Sequence, residues 1–293
     1  MAAGYLGAML RRILITFALV LAACGGGGAT TTTTGDGGGA LPPGSTAIRV
    51  SSDLGVGEER LLIAIAGPAG ERLAAPDLPV TLEVYPEGEP EEGQTVPGTF
   101  MWAVPEVSGM YRADVEFDRA GVWMVVVTPE DGAPLDPVAV GVAEDTLTPA
   151  VGTAAPASDT FIAADVADLA EITTDPEPDP RFYQVSVADA VASGDPTVVV
   201  FATPRFCQTA VCGPTLDGVK EIAASYPNVN WVHVEVFTNL DDPDALAVVP
   251  AAVEWGLPTE PWVFVVDGDG VVRGRFEGVV SREELIGLLD ALV

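Results

Sequence analysis

Cys207 and Cys212 stand five positions apart in the segment FATPRFCQTAVCGP. Two thiols at close range can form a disulfide, exchange electrons with another dithiol, or hold a thiophilic metal. Cys207 directly follows a strand and loop and is expected at a helix N-terminus. There the helix dipole and unpaired N–H groups favour the reactive thiolate, so Cys207 is read as the attacking thiol. Cys212, further into the helix, is read as the resolving thiol. The spacing carries a constraint of its own. In an unbroken α-helix, residues five apart have Cα atoms roughly 8–9 Å apart. A disulfide needs less than about 7 Å. Oxidation is therefore expected to unwind the first turn, between Phe206 and Thr215, where Gly213-Pro214 makes a break cheap. The alternative is a permanent staple, but a bond closing so short a loop contributes little through chain entropy.

The elements around the pair must position it. From Arg181 onward the pattern alternates strand and helix. Val187–Ala192 reads as a short helix capped by Ser186, and Thr197–Phe201 as an apolar strand buried on both faces. A helix from the dithiol to about Tyr226 and a strand at Trp231–Phe237 follow. Trp262–Val266 and Val271–Phe276 flank Asp267-Gly-Asp-Gly270, a hairpin signal. Ser281 and Glu284 have capping-box spacing before a final helix with Leu285, Leu288 and Leu289 on its buried stripe. Glu235 falls toward the C-terminal end of its strand, where active sites form in α/β sheets, so it is a candidate proton acceptor.

Upstream, residues 46–144 read as an all-β immunoglobulin-like sandwich. In MYRADVEF, Tyr111, Ala113, Val115 and Phe117 share one face, and Arg112, Asp114 and Glu116 share the other. Met101, Trp102, Met110 and Met124 are read as core, because this region has neither His nor Cys to build a metal site. Residues 145–180, rich in Pro, Ala, Thr and Asp, read as an extended linker.

The third cysteine, Cys24, follows Arg11-Arg12 and an apolar run from Ile13 to Ala23. That is a secretory signal over residues 1–23, too short for a bilayer span. Leu21-Ala22-Ala23-Cys24 resembles the bacterial lipobox. The resemblance implies cleavage before Cys24, a diacylglycerol on its sulfur, and location on the outer face of the cell membrane. The Gly- and Thr-rich residues 24–45 would be a flexible tether. Lys+Arg 13 against Asp+Glu 43 gives a net charge of −30. Such a surface repels polyanions, so nucleic acid is not expected as a partner. An exported chain meets an oxidising compartment, where a lone cysteine pair is either a staple or a redox couple.

Taken together, FATPRFCQTAVCGP, LPTEPWVFVVDGDG and the order of elements across residues 181–293 resemble the thioredoxin superfamily. The resemblance implies a C-terminal α/β thioredoxin-like fold and exchange with protein thiols or disulfides, with no cofactor. It also implies that Pro261 is a cis-proline facing the dithiol and that Glu260 sits beside the sulfurs. The chain departs from the family in its wider spacing and in lacking an acid on Val198–Phe201. Similar spacing occurs in atypical peroxiredoxins, whose TP element is loosely matched by Thr203-Pro204, so a thiol peroxidase is the alternative enzyme. Copper-delivering relatives make a non-catalytic Cys207, Cys212, His233 copper site a further alternative. For His233, the only histidine, a hydrogen-bonded core position is the preferred reading.

Overall fold

The alternation along residues 108–117 translates directly into a half-buried strand, with Tyr111, Ala113, Val115 and Phe117 at most 2% exposed. It is one of seven strands described by a computed structural model of residues 41–293: β1 (Thr46–Arg49), β2 (Gly57–Ala66), β3 (Val80–Pro86), β4 (Gln94–Val104), β5 (Ser108–Phe117), β6 (Gly121–Pro129) and β7 (Val138–Val142). They form one antiparallel sheet of order β1-β2-β5-β4-β3-β6-β7. The sheet nearly closes on itself. Ala143 N–H donates to Leu54 O at 2.9 Å, and Val56 N–H donates to Ala143 O at 3.0 Å. Leu61, Ile63, Leu82, Val84, Phe117 and Val125 fill its interior. The Tyr111 hydroxyl donates to Leu78 O at 2.6 Å, satisfying the polar end of a buried ring.

The second sheet has four strands: β8 (Thr197–Phe201), β9 (Asn230–Val234), β12 (Trp262–Val266) and β13 (Val272–Glu277), in the order β13-β12-β8-β9. A minor pair, β10 (Phe237–Thr238) and β11 (Ala247–Val248), lies apart from it. Every residue of β8 and β12 is buried. The helices are α1 (Val187–Ala192), α2 (Cys212–Ala223), α3 (Pro250–Glu254) and α4 (Arg282–Leu292). The Ser281–Glu284 capping box starts α4, with Glu284 N–H on Ser281 Oγ at 3.2 Å and Ser281 N–H on Glu284 Oε2 at 2.8 Å.

This architecture corrects the expected fold class. The described residues are mostly β, with 19% helix. The expected α/β thioredoxin-like domain rested on strand–helix alternation. In the structure only β8 and β9 pair in parallel, β12 and β13 pair antiparallel, and α1 and α3 are 6 and 5 residues long. The region expected to be an all-β immunoglobulin-like sandwich is all-β, its seven strands forming one nearly closed antiparallel sheet. The described residues belong to one compact unit.

The supposed linker at residues 145–180 is packed. Asp53 accepts from the backbone of Leu147 and Thr148 at 2.8 and 2.9 Å. Gly152 N–H donates to Val272 O and Val272 N–H returns to Thr153 O, extending the edge of β13. Thr173, Thr174 and Asp175 are buried, and Lys220 pairs with Asp175 at 2.8 Å. Proline removes donors from this segment, and acceptors elsewhere, such as Asp53, Glu235 and Val272 O, take several of those that remain. Trp102, expected in the core, is 40% exposed and stacks edge-on against Phe100.

Arg275 of β13 joins the two sheets. Its guanidinium reaches Asp53 Oδ2 at 2.7 Å, Asp53 O at 2.6 Å, Glu59 Oε2 at 2.9 Å and Thr148 Oγ1 at 2.6 Å. Burial pushes the Asp53 carboxyl up, but the Leu147 and Thr148 donors and the Arg275 cation outweigh it and hold it below the usual range. Removing one partner strands buried charge. Arg275→Ala should lower the unfolding free energy by about 3–5 kcal/mol, read from urea denaturation. Arg119→Ala, at an exposed pair, should leave the midpoint in place.

Candidate functional site

Strand β8 ends in Phe201 and delivers Ala202, Thr203 and Pro204 to the turn that precedes the dithiol. Cys207 and Cys212 are joined in a disulfide with Cα atoms 6.0 Å apart. The chain meets the distance limit by not being helical between them. Ala210 takes φ +61°, and α2 begins only at Cys212. This refines the expected placement: Cys212, not Cys207, opens the helix. Cys212 N–H, one of the helix's first free donors, points at Cys207 Sγ at 3.3 Å. A donor and the positive helix end both favour negative charge on Cys207 sulfur. Pro214 falls in the first turn, where a missing N–H costs nothing. Cys212 is fully buried, whereas Cys207 is half-buried.

The loop between the cysteines rests on the seven-stranded sheet. Val211 packs against a cluster of Leu62, Met101, Ala103, Met110 and Val279. Thr215 of α2 donates to Gly278 O at 2.9 Å.

The Glu260–Pro261 peptide bond is cis. Ligand atoms of Cys207, Cys212 and Glu260 all lie within 4.8 Å of one another. Burial raises the Glu260 carboxyl above its ordinary range, with Thr203 tempering the rise. Glu235, 4% exposed, follows β9 directly. Its Oε1 accepts from the Thr174 backbone N–H, and from the Thr174 hydroxyl at 2.7 Å. Burial, tempered by Thr174 and Thr203 and reinforced by Glu260, pushes its pKa up to about 7. Oε2 of Glu235 and Oε2 of Glu260 are buried without a partner in normal hydrogen-bond geometry among the described residues. Thr203, fully buried, accepts from Val236 N–H at 3.0 Å through its hydroxyl oxygen. Behind Glu235 opens a cavity of about 700 Å³ lined in part by Asp159, Asp165, Glu171, Asp189 and Phe237, with neither cysteine in its wall.

His233 is not brought to the sulfurs. Its Nε2–H donates to Ala202 O at 2.9 Å, and the Tyr183 hydroxyl lies 2.8 Å from Nδ1. With Nε2 protonated, Nδ1 accepts from Tyr183. Burial depresses its pKa to about 4, so it stays neutral. The copper set of Cys207, Cys212 and His233 is therefore not assembled, because both ring nitrogens are committed elsewhere. Cys24 lies outside the described residues.

No protein-family model and no curated protein matches the chain. Among solved structures, the crystal structure of the Lin-41 filamin domain is similar at 15% identity and a TM-score of 0.25, over 37% of this chain and 99% of that one. A likeness at that score carries no argument.

Sequence reasoning did not find Thr174 or Tyr183, which organise the acid and the histidine. A threonine in a Pro-rich segment gives no signal that it caps a carboxylate more than 60 positions away. The raised Glu235 has a consequence for stability. Its folded-state pKa exceeds the unfolded value, so the folded state binds the proton more tightly and stability falls as pH rises from about 4.5 through 7. Glu235→Gln should therefore stabilise the protein at pH 8 by about 1–3 kcal/mol and change little at pH 4, measured by thermal unfolding at both values.

Proposed function

We propose that this protein is a thiol–disulfide oxidoreductase working on protein thiols or disulfides through Cys207 and Cys212. We further propose that it acts on the outer face of a membrane, held by a lipid on Cys24, a reading that rests on the Leu21–Cys24 motif. Among the described residues no helix is long and apolar enough to cross a membrane.

The observation that carries the exchange reading is the asymmetry of the disulfide. One sulfur belongs to the half-buried Cys207, and the other to the fully buried Cys212 beside Glu260. An incoming substrate thiolate attacks the reachable sulfur, Cys207 Sγ. The intramolecular S–S bond breaks, a mixed disulfide forms, and Cys212 leaves as thiolate. Glu260 stands where that thiolate can take a proton, with Glu235 behind it to replenish the proton. A second substrate thiolate then attacks the substrate sulfur of the mixed disulfide and releases Cys207 as thiolate. In the opposite direction Cys207 thiolate attacks a substrate disulfide, and Cys212 thiolate closes the pair and expels reduced substrate. Atoms and electrons balance either way, two electrons passing between the pair and the substrate. The direction follows from the reduction potential.

Cys207→Ser should abolish exchange, whereas Cys212→Ser should accumulate a mixed disulfide visible on a non-reducing gel. Equilibration with glutathione or dithiothreitol buffers should place the potential between about −100 and −270 mV. A potential below about −300 mV would mark a structural staple and end this reading. Thiol-dependent peroxide consumption faster than exchange would favour the peroxidase instead.

A further inference from the structure

The cluster of Cys207, Cys212 and Glu260 has a second chemistry once the disulfide is open. Its three ligand atoms already lie within 4.8 Å of one another. Tetrahedral zinc takes sulfur at about 2.3 Å and carboxylate oxygen at about 2.0–2.2 Å, so its ligands stand about 3.5–3.8 Å apart. Opening the S–S bond lets the two sulfurs separate to that spacing, and Glu260 is already in range. Glu260 Oε2 is buried without a partner in normal hydrogen-bond geometry among the described residues, so a cation there would satisfy it. With a net charge of −30, the chain as a whole favours cations near its surface.

We propose that the reduced Cys207–Cys212 pair and Glu260 together form a three-ligand site for Zn²⁺. The donor set argues for zinc among thiophilic ions. Cu(I) is content with soft sulfur alone, whereas two thiolates and one carboxylate form the mixed sulfur–oxygen set that borderline zinc accepts. The fourth position is left to water or to a substrate group. The proposal rests on the exchange reading in one respect, that the pair is reducible. A dithiol reductant breaks the Cys207–Cys212 bond and becomes a disulfide itself. The two thiols so formed then lose their protons to solvent as Zn²⁺ binds. Zinc would hold the pair reduced and shield it from exchange until the ion is withdrawn.

The test uses the full-length chain in detergent, with Cys24→Ser so that only the pair supplies thiols. A phosphine reductant opens the disulfide, passing two electrons to the sulfurs and taking oxygen from water. A thiol-reactive chromophore then counts the thiols. Anaerobic Co²⁺, the probe for zinc, should give sulfur-to-cobalt charge-transfer absorption at one ion per chain, displaced by Zn²⁺. Glu260→Gln should weaken binding about tenfold or more, and Glu260→Asp by less. Circular dichroism of each variant separates ligand loss from misfolding. One equivalent of Zn²⁺ should stop exchange, and a chelator should restore it. If the thiols do not appear on reduction, both the exchange reading and the zinc site fall. If they appear but cobalt gives no charge-transfer band, or if both Glu260 variants bind as tightly as the parent, the zinc site alone falls.

Discussion

The structure depends on the burial of two arginines between its sheets. A chain with 43 acids and 13 bases has little positive charge to place. It commits Arg275 to Asp53 and Glu59, and Arg60 to Glu284. Arg112 reaches the same Glu284 from β5 at 2.9 Å. Buried ion pairs contribute little net stability, because desolvation offsets most of their attraction. What they do enforce is register. An arginine in such a site has few acceptable positions, since each displaced hydrogen bond leaves a charge unmatched. The four-stranded sheet can therefore sit on the seven-stranded sheet in essentially one way.

That register sets the geometry of the dithiol. Arg60 donates to Val279 O at 2.6 Å and so fixes the turn between β13 and α4. Val279 joins Leu62, Met101 and Met110 in the wall on which Val211 packs. Gly278, one residue earlier, anchors Thr215 of α2. The non-helical residues between Cys207 and Cys212 are thus held at their C-terminal end, through Val211 and Thr215, by contacts that trace back to Arg60. The β-rich half of the chain, read from sequence as a separate module, forms one wall of the candidate site.

How much of this was legible in the sequence divides along physical lines. Local signals transferred well. The alternation of Tyr111, Ala113, Val115 and Phe117, the Ser281–Glu284 capping box and the Asp267–Gly270 turn appear where their short-range chemistry puts them. The disulfide is present, and Glu260 lies near both of its sulfurs. Signals that depend on tertiary partners did not transfer. The Pro-rich segment looks unpackable until Asp53 and Glu235 supply acceptors for it. His233 looks available for a metal until Tyr183 and Ala202 are seen to occupy both nitrogens. The fold class failed for a related reason. Alternation of strands and helices says nothing of strand direction, and short helices leave the protein mostly β.

The two acids behind the disulfide violate the ordinary rule that buried charge is paired. Arg275 and Arg60 show that the chain can place a cation where it needs one, yet among the described residues no basic side chain acts on Glu235 or Glu260. Thr203 tempers both acids instead, and Thr174 donates to Glu235. Two desolvated carboxyls with no cation beside them favour the protonated form. A carboxylate oxygen of Glu260, where such a proton sits, lies within 4.8 Å of both sulfurs. An arginine in the same place would have stabilised the fold more and removed the proton altogether. The missing counter-ion thus costs stability at neutral pH and leaves at the dithiol the groups that both proposed chemistries require: a proton carrier when the sulfurs exchange, and an unsatisfied oxygen when they are open.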